Sequence, residues 1–231
     1  MNLYLIPCNL AENTVDVVLS PQVNEVIKNT KYYFAENIRS ARRFISSLKL
    51  GIEIDQLIFY EVSKNTPYEE ITVFFKEVGT NDIGVISEAG CPGVADPGSL
   101  AVSYAHKNDI KVVPLVGPSS ILLALMASGF NGQQFVFHGY LPIEKASKIK
   151  MMKQLENDAK NKNQTQIFME TPYRNDQLFD DLMQNCNPNT LLCIAANITS
   201  SSEFIKTMLV KDWKSNKPNL NKIPTIFLIY S

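Results

Sequence analysis

Apolar residues in this chain fall into short runs separated by segments of helical length. Residues 3–6 (LYLI), 31–35, 57–60, 83–86 and 111–115 each read as a strand. Between them the periodicity changes to a 3–4 spacing. Helices are predicted over residues 21–29, 36–50, 67–78 and 98–108. Strand followed by helix, repeated, predicts a mostly parallel sheet with helices on both faces. The second half continues with strands at 134–137, 165–169, 191–195, 203–209 and 224–230, and helices at 121–128, 144–158, 175–186 and 211–215. The fold class is therefore α/β. Two α/β domains with mostly parallel or mixed sheets are expected, residues 1–116 and 117–231, hinged near 115–118.

Helix boundaries carry their own signals. Ser20-Pro21 and Asp96-Pro97 each place a cap residue before a proline at the first helical position. Thr66-Pro67-Tyr68-Glu69 has the spacing of a capping box. Gly51 reads as the stop of the 36–50 helix. The 121–128 helix is apolar nearly all round and is expected to be buried. The polar stretch 160–164 reads as a turn.

One stretch breaks the pattern. After the run at 83–86, residues 88–98 hold three glycines, two prolines and two carboxylates, and only then does a helix begin. A connection between strand and helix usually takes ~2–6 residues. This longer loop lies at the carboxyl end of a strand, where open α/β sheets bind ligands. Residues 116–120 (VGPSS) form a second punctuated loop.

Composition adds limits. The chain has 231 residues, 45% hydrophobic and 19% charged, with a net charge of −1. That balance gives no general attraction to nucleic acid, so any such binding needs a local patch. No apolar run approaches the ~20 residues that span a bilayer. The opening residues lack a basic region and a long apolar segment, so no secretory signal and a cytoplasmic location are expected, with no membrane partner. The four cysteines show no C-x-x-C pair, and neither His106 nor His138 stands at ligand spacing from one. No metal site is expected. Arg39, Arg42 and Arg43 cluster within two turns of one predicted helix, as either a solvated face or a phosphate contact.

The loop at 86–98 (ISEAGCPGVADPG) resembles the SDAGTP-x-x-S/A-DPG signature of the tetrapyrrole methylase superfamily, in its ribosomal RNA methyltransferase branch. Downstream motifs stay in order. Residues 113–119 resemble VPxPGPSA, residues 137–142 resemble F-x-GFLP, and residues 168–174 resemble Y/F-x-ESPHR. The resemblance covers nearly the whole chain. It implies a class III methyltransferase architecture, a homodimer, S-adenosylmethionine as cofactor, and RNA of the small ribosomal subunit as partner. The implied reaction is methylation of a cytidine ribose 2′-hydroxyl.

Carried over by position, the resemblance implies cofactor contacts from Pro7, from Glu88, Ala89, Gly90, Cys91, Pro92, Gly93, Val94, Ala95 and Asp96, and from Ser119 and Ser120. Met169, Ala196, Asn197, Pro224 and Thr225 complete that set. Glycines at 90 and 93 let backbone approach a ligand without side-chain clash. Serines near a helix N-terminus can donate hydrogen bonds. A hydroxyl acceptor gains from a nearby base. Glu88 is the first candidate, Glu170 the second and Glu36 the third; Asp96 is a helix cap or a ligand contact. Glu36, Arg39 and Arg174 are the implied substrate contacts.

The departures fall mostly away from the cofactor loop. The family's PTPIGNL is shortened to Pro7-Cys8-Asn9-Leu10. Its AEDTR becomes Ala35-Glu36-Asn37-Ile38-Arg39, and its RELTK becomes Ala196-Asn197-Ile198-Thr199-Ser200. These losses keep two alternatives open: a methyltransferase of a tetrapyrrole or other small molecule, and a non-catalytic dimer that binds S-adenosylmethionine.

Overall fold

The computed structural model describes residues 1–231. They divide into two units, Met1–Ser119 and Ser120–Ser231. In the first, the chain runs β1 (Asn2–Ile6), α1 (Val15–Val18), α2 (Pro21–Asn29), β2 (Tyr32–Ala35), α3 (Ile38–Ser47), β3 (Ile58–Glu61), α4 (Tyr68–Val78), β4 (Ile83–Ile86), α5 (Gly98–Lys107) and β5 (Lys111–Pro114). Its strands form one sheet in the order β3-β2-β4-β1-β5, every pair parallel. A parallel strand covered on both faces is apolar at nearly every position. All four residues of β4 are buried accordingly. Alternate side chains feed two cores. Tyr33 and Ile86 join Val23, Ile27 and Phe44 on one side. Phe34 and Val85 join Ile71, Phe75 and Ala105 on the other.

The second unit runs α6 (Ser120–Ser128), β6 (Phe135–Tyr140), α7 (Lys145–Lys162), β7 (Thr165–Met169), α8 (Asn175–Asn185), β8 (Leu191–Ala196), β9 (Phe204–Leu209), α9 (Val210–Trp213) and β10 (Thr225–Tyr230). The sheet order is β6-β7-β10-β8-β9. Only β6 and β7 are parallel; β10 is antiparallel to both neighbours, and β9 to β8. The sheets are thus one parallel and one mixed, as the α/β reading expects. The single tryptophan, Trp213, is fully buried here. Its indole N–H donates to Leu192 O at 2.9 Å, and its ring meets Phe179 edge-on.

Several boundaries differ from the sequence expectation. Helix α3 is shorter than 36–50. Asn37 caps it by accepting from Ser40 N–H. It ends at Ser47 because Leu48 and Leu50 turn into the core while Lys49 takes a left-handed φ of 53°. The capping box at Thr66 does not form. Thr66 Oγ1 accepts from Ser63 N–H instead, and α4 starts after Pro67 with Glu69 and Glu70 favourably in its first turn. Helix α7 runs on to Lys162, into the expected turn at 160–164. Ala159 extends the buried stripe of Met152 and Leu155, and Asn163 closes the helix with φ 48°. Helix α6 is not buried all round: Leu122 and Met126 are 50% and 78% exposed. Helix α7 also carries Lys148. It is buried and paired with Asp181 at 3.0 Å. No helix is long and apolar enough to cross a membrane.

Trp213 is the largest fully buried side chain. Trp213→Ala is expected to cost about 3–5 kcal/mol, from lost packing and an unpaired carbonyl. Urea unfolding followed by far-UV circular dichroism measures this; a loss under about 1 kcal/mol contradicts the assignment of Trp213 as core.

Candidate functional site

Strands β4, β1 and β5 are neighbours and parallel, so the loops that follow them leave the same edge of the sheet. Those loops are tied together. Cys8 N–H donates to Gly90 O at 2.8 Å, and Gly90 N–H returns a bond to Cys8 O at 3.1 Å. Cys91 Sγ donates to Pro118 O at 3.3 Å. Gly117 packs on Pro7 so closely that a Cβ there would sit 2.2 Å from Pro7 Cβ. No larger residue fits without moving the loop.

The loop after β4 is shaped by Asp96. Its Oδ1 accepts from Gly93 N–H at 2.8 Å and Gly98 N–H at 2.7 Å. The second bond serves the first residue of α5, so Asp96 performs the expected capping role from one residue further out. Gly90, Gly93 and the non-glycine Ala95 all have positive φ, at 72°, 83° and 63°. Ala95 carries a strain of about 1–2 kcal/mol that the Asp96 bonds help offset. Nothing lies within 4 Å of Gly93's missing Cβ except Ser99 N, at 4.0 Å. Bare backbone therefore faces open space there. Val94 is 50% exposed, Ala89 and Ala95 are exposed, and Pro92 is buried.

Three carboxylates meet at this edge. Burial, then Glu88, then Asp96 raise the Glu36 pKa; Lys64 and a hydrogen bond from the Glu88 backbone oppose this. Burial also raises Asp96, against the lowering effect of its two amide bonds. Asp96 Oδ2 is buried with no partner. Glu88 is exposed, and Ser40 Oγ, from α3, donates to its Oε1 at 3.4 Å. Burial raises the Cys91 thiol, which disfavours the thiolate and any nucleophilic role. Beside Glu88 and Ala89 opens a cleft of about 650 Å³, lined among others by Asn9, Leu10, Ser40, Arg43 and Lys49. Arg39 is exposed on the first turn of α3, and none of the ion pairs includes it.

The remaining candidates lie in the second unit, which Ser120 begins, directly after Ser119. Strand β10 runs between β7 and β8 in the opposite direction, so its start lies beside their ends. Thr225 pairs with Ala196, and Ile226 with Met169. Asn197 N–H donates to Pro224 O at 3.0 Å. Met169, Ala196, Asn197, Pro224 and Thr225 thus form one group. Glu170 follows at once and is buried. Its Oε1 accepts from Thr171 N–H at 2.7 Å and from Arg174 Nη2 at 2.6 Å. His138 bonds the buried Gln166 through Nε2 at 2.7 Å. No group of three or more histidine, cysteine, aspartate or glutamate side chains is arranged to hold a metal ion.

The contact from Ser40 to Glu88 went unmarked in the sequence. Its one signal is spacing: Ser40, Arg43 and Ser47 lie three and four apart on α3, hence on one helical face.

Glu36→Gln removes a charge that the folded state disfavours. The folded pKa of Glu36 is raised, so its penalty is present at neutral pH and is lost as pH falls through that pKa toward the unfolded value. The variant is expected to melt higher than the parent at pH 7–8, with the gain shrinking toward pH 4. Calorimetric melting at several pH values checks this; a gain that grows on acidification contradicts it.

No family model matches the chain. In sequence it is similar to the ribosomal RNA small subunit methyltransferase I of Buchnera aphidicola subsp. Schizaphis graminum. The two are 28% identical over 234 aligned positions, covering 98% of this chain and 77% of that one. The protein of the same name from Buchnera aphidicola subsp. Acyrthosiphon pisum is 29% identical, over 93% and 74%. That from Pseudomonas aeruginosa is 26% identical, over 91% and 73%. Among solved structures, the methyltransferase CobJ superposes with a TM-score of 0.64 at 16% identity, covering 100% of this chain and 94% of that one. Uroporphyrin-III C-methyl transferase from Thermus thermophilus, complexed with S-adenyl homocysteine, gives 0.58 at 12%, covering 100% and 98%. The chain is thus similar in sequence to ribosomal RNA small subunit methyltransferase I proteins and shares its fold with CobJ and uroporphyrin-III C-methyl transferase.

Proposed function

We propose that the protein is an S-adenosylmethionine-dependent methyltransferase that modifies a cytidine ribose 2′-hydroxyl in small-subunit ribosomal RNA. The observation that carries this reading is the loop after β4. It offers bare backbone at Gly93, a left-handed Gly90 bonded to Cys8, and an anchoring carboxylate, all at the carboxyl edge of a parallel sheet. The sequence relatives, matched over nearly the whole chain, supply the RNA half of the proposal.

The residues present fit the cofactor. Open space over Gly93 suits a ligand resting on main chain, and Asp96 Oδ2 is a buried acceptor without a donor. Residues 89–93, Pro7 and the serines at 119 and 120 would hold one part of it. Met169, Ala196, Pro224 and Thr225 would wall its adenine, with Asn197 beside them. When bound, S-adenosylmethionine supplies a methyl group on a positively charged sulfur.

The chain's own part is to align the acceptor and take its proton. Acceptance of the methyl group by the hydroxyl oxygen, with the C–S electron pair leaving on sulfur, would release the hydroxyl proton. The hydroxyl proton passes to Glu88. Glu88 is exposed, held by Ser40, and lines the cleft, so it can reach a substrate. Glu170 is committed to Thr171 and Arg174, which suits a role in shaping the β7–α8 turn. Exposed Leu122 and Met126, one turn apart on α6, support a homodimer by offering an apolar face to a second copy. The near-neutral net charge, with the arginine and lysine of the family's RELTK motif lost at residues 196–200, favours a small-molecule acceptor instead.

Labelled S-adenosylmethionine and small ribosomal subunits lacking the methyl group test the reading. Digestion to nucleosides is expected to yield 2′-O-methylcytidine. Label in another nucleoside overturns the site, and no transfer to RNA overturns the substrate class. Glu88→Gln is expected to lower kcat by about 10²–10⁴-fold. An unaltered kcat removes Glu88 as the base.

A further inference from the structure

We infer that the cleft beside Glu88 seats the RNA segment carrying the acceptor, with Arg43 and Lys49 contacting the phosphates that flank the reacting ribose. This rests on the RNA methyltransferase reading and assigns it a substrate site.

The cleft lies wholly among residues of the first unit, and its volume of about 650 Å³ falls within the ~300–1,000 Å³ usual for ligand sites. It opens where the candidate base is. Ser40, Arg43 and Ser47 all line it, from one face of α3, while Glu88 and Ala89 line it from the loop after β4. A nucleotide there would bring its ribose hydroxyl toward Glu88 and its phosphates toward α3.

The charges are specific rather than general. Arg42 is spent: it pairs with Asp55 and lies over the Phe59 ring. Arg43 and Lys49 are both exposed, and neither takes part in any ion pair. An unpaired cation at the wall of a polar cleft is available to a phosphate. Lys49 is at the cleft because α3 stops early. Its left-handed φ of 53° turns the chain there, a conformation few non-glycine residues adopt. Glu12 and Asp16 also line the cleft. It is therefore no basic field, and attraction to RNA should come from a small number of contacts.

The test uses the full-length protein, S-adenosylmethionine and small ribosomal subunits lacking the methyl group, with KM for the subunit followed against salt. Arg43→Gln combined with Lys49→Asn is chosen because both residues are exposed and asparagine tolerates positive φ. The double variant is expected to raise KM at least about tenfold and to flatten the salt slope by about 0.7 for each lost contact. Calorimetric cofactor affinity should stay within about twofold of the parent, which reports an intact fold. Arg43→Lys should recover part of the loss, and Arg42→Gln should leave KM unchanged. If the double variant keeps the parent KM and salt slope while the parent methylates RNA, the cleft assignment is wrong and the methyltransferase reading stands. An equal loss in Arg42→Gln also overturns it, by pointing to diffuse charge. If the parent neither binds nor methylates the subunit, both readings fall.

Discussion

A single carboxylate oxygen organises the edge of the first sheet. Asp96 Oδ1 accepts from Gly93 and Gly98 together, so one group fixes the end of a left-handed loop and the start of α5. Without it, the amides of a Gly/Pro-rich segment would face water in many conformations, and ordering them would cost about 1–2 kcal/mol per residue. The reciprocal bond between Cys8 and Gly90 completes the restraint by tying this loop to the one after β1. Glu36 and Glu88 stand nearby, and burial together with like charge raises the Glu36 pKa. Carboxylates whose pKa values are raised by burial and by one another are frequent at functional sites.

Much of the fold was legible because burial on both faces leaves a strong trace. Residues 3–6 and 83–86 are apolar runs of strand length, and they became β1 and the buried β4. The Asp96-Pro97-Gly98 punctuation marked the start of α5 to within a residue. Where tertiary contacts decide, the local pattern misled. Thr66 had the right spacing for a capping box but was drawn to Ser63. The polar residues after Ala159 looked like a turn, yet the buried stripe carried α7 onward. The reversal of β10 left no mark at all, since an apolar strand looks the same in either direction. It matters nonetheless, because it brings Thr225 beside Ala196.

The candidate site divides in the same way. Gly90, Gly93 and Asp96 announced themselves through residue type. Ser40 did not, because its partner lies 48 residues away. The arginine cluster on α3 was visible as charge, but only the structure separates its members. Arg42 answers Asp55 and Phe59, while Arg43 is left for the cleft. A near-neutral chain can thus still present cations where a substrate would need them, since placement and not net charge decides local recognition.

The loop pinned by Asp96 is proposed as the wall of a cofactor site. A crystal structure of the protein grown with S-adenosylhomocysteine tests it most directly. The ligand is expected against the main chain of residues 89–93, with the cofactor's sulfur on the side of Glu88. Density for the ligand away from that loop, or no binding at millimolar concentration, would contradict it.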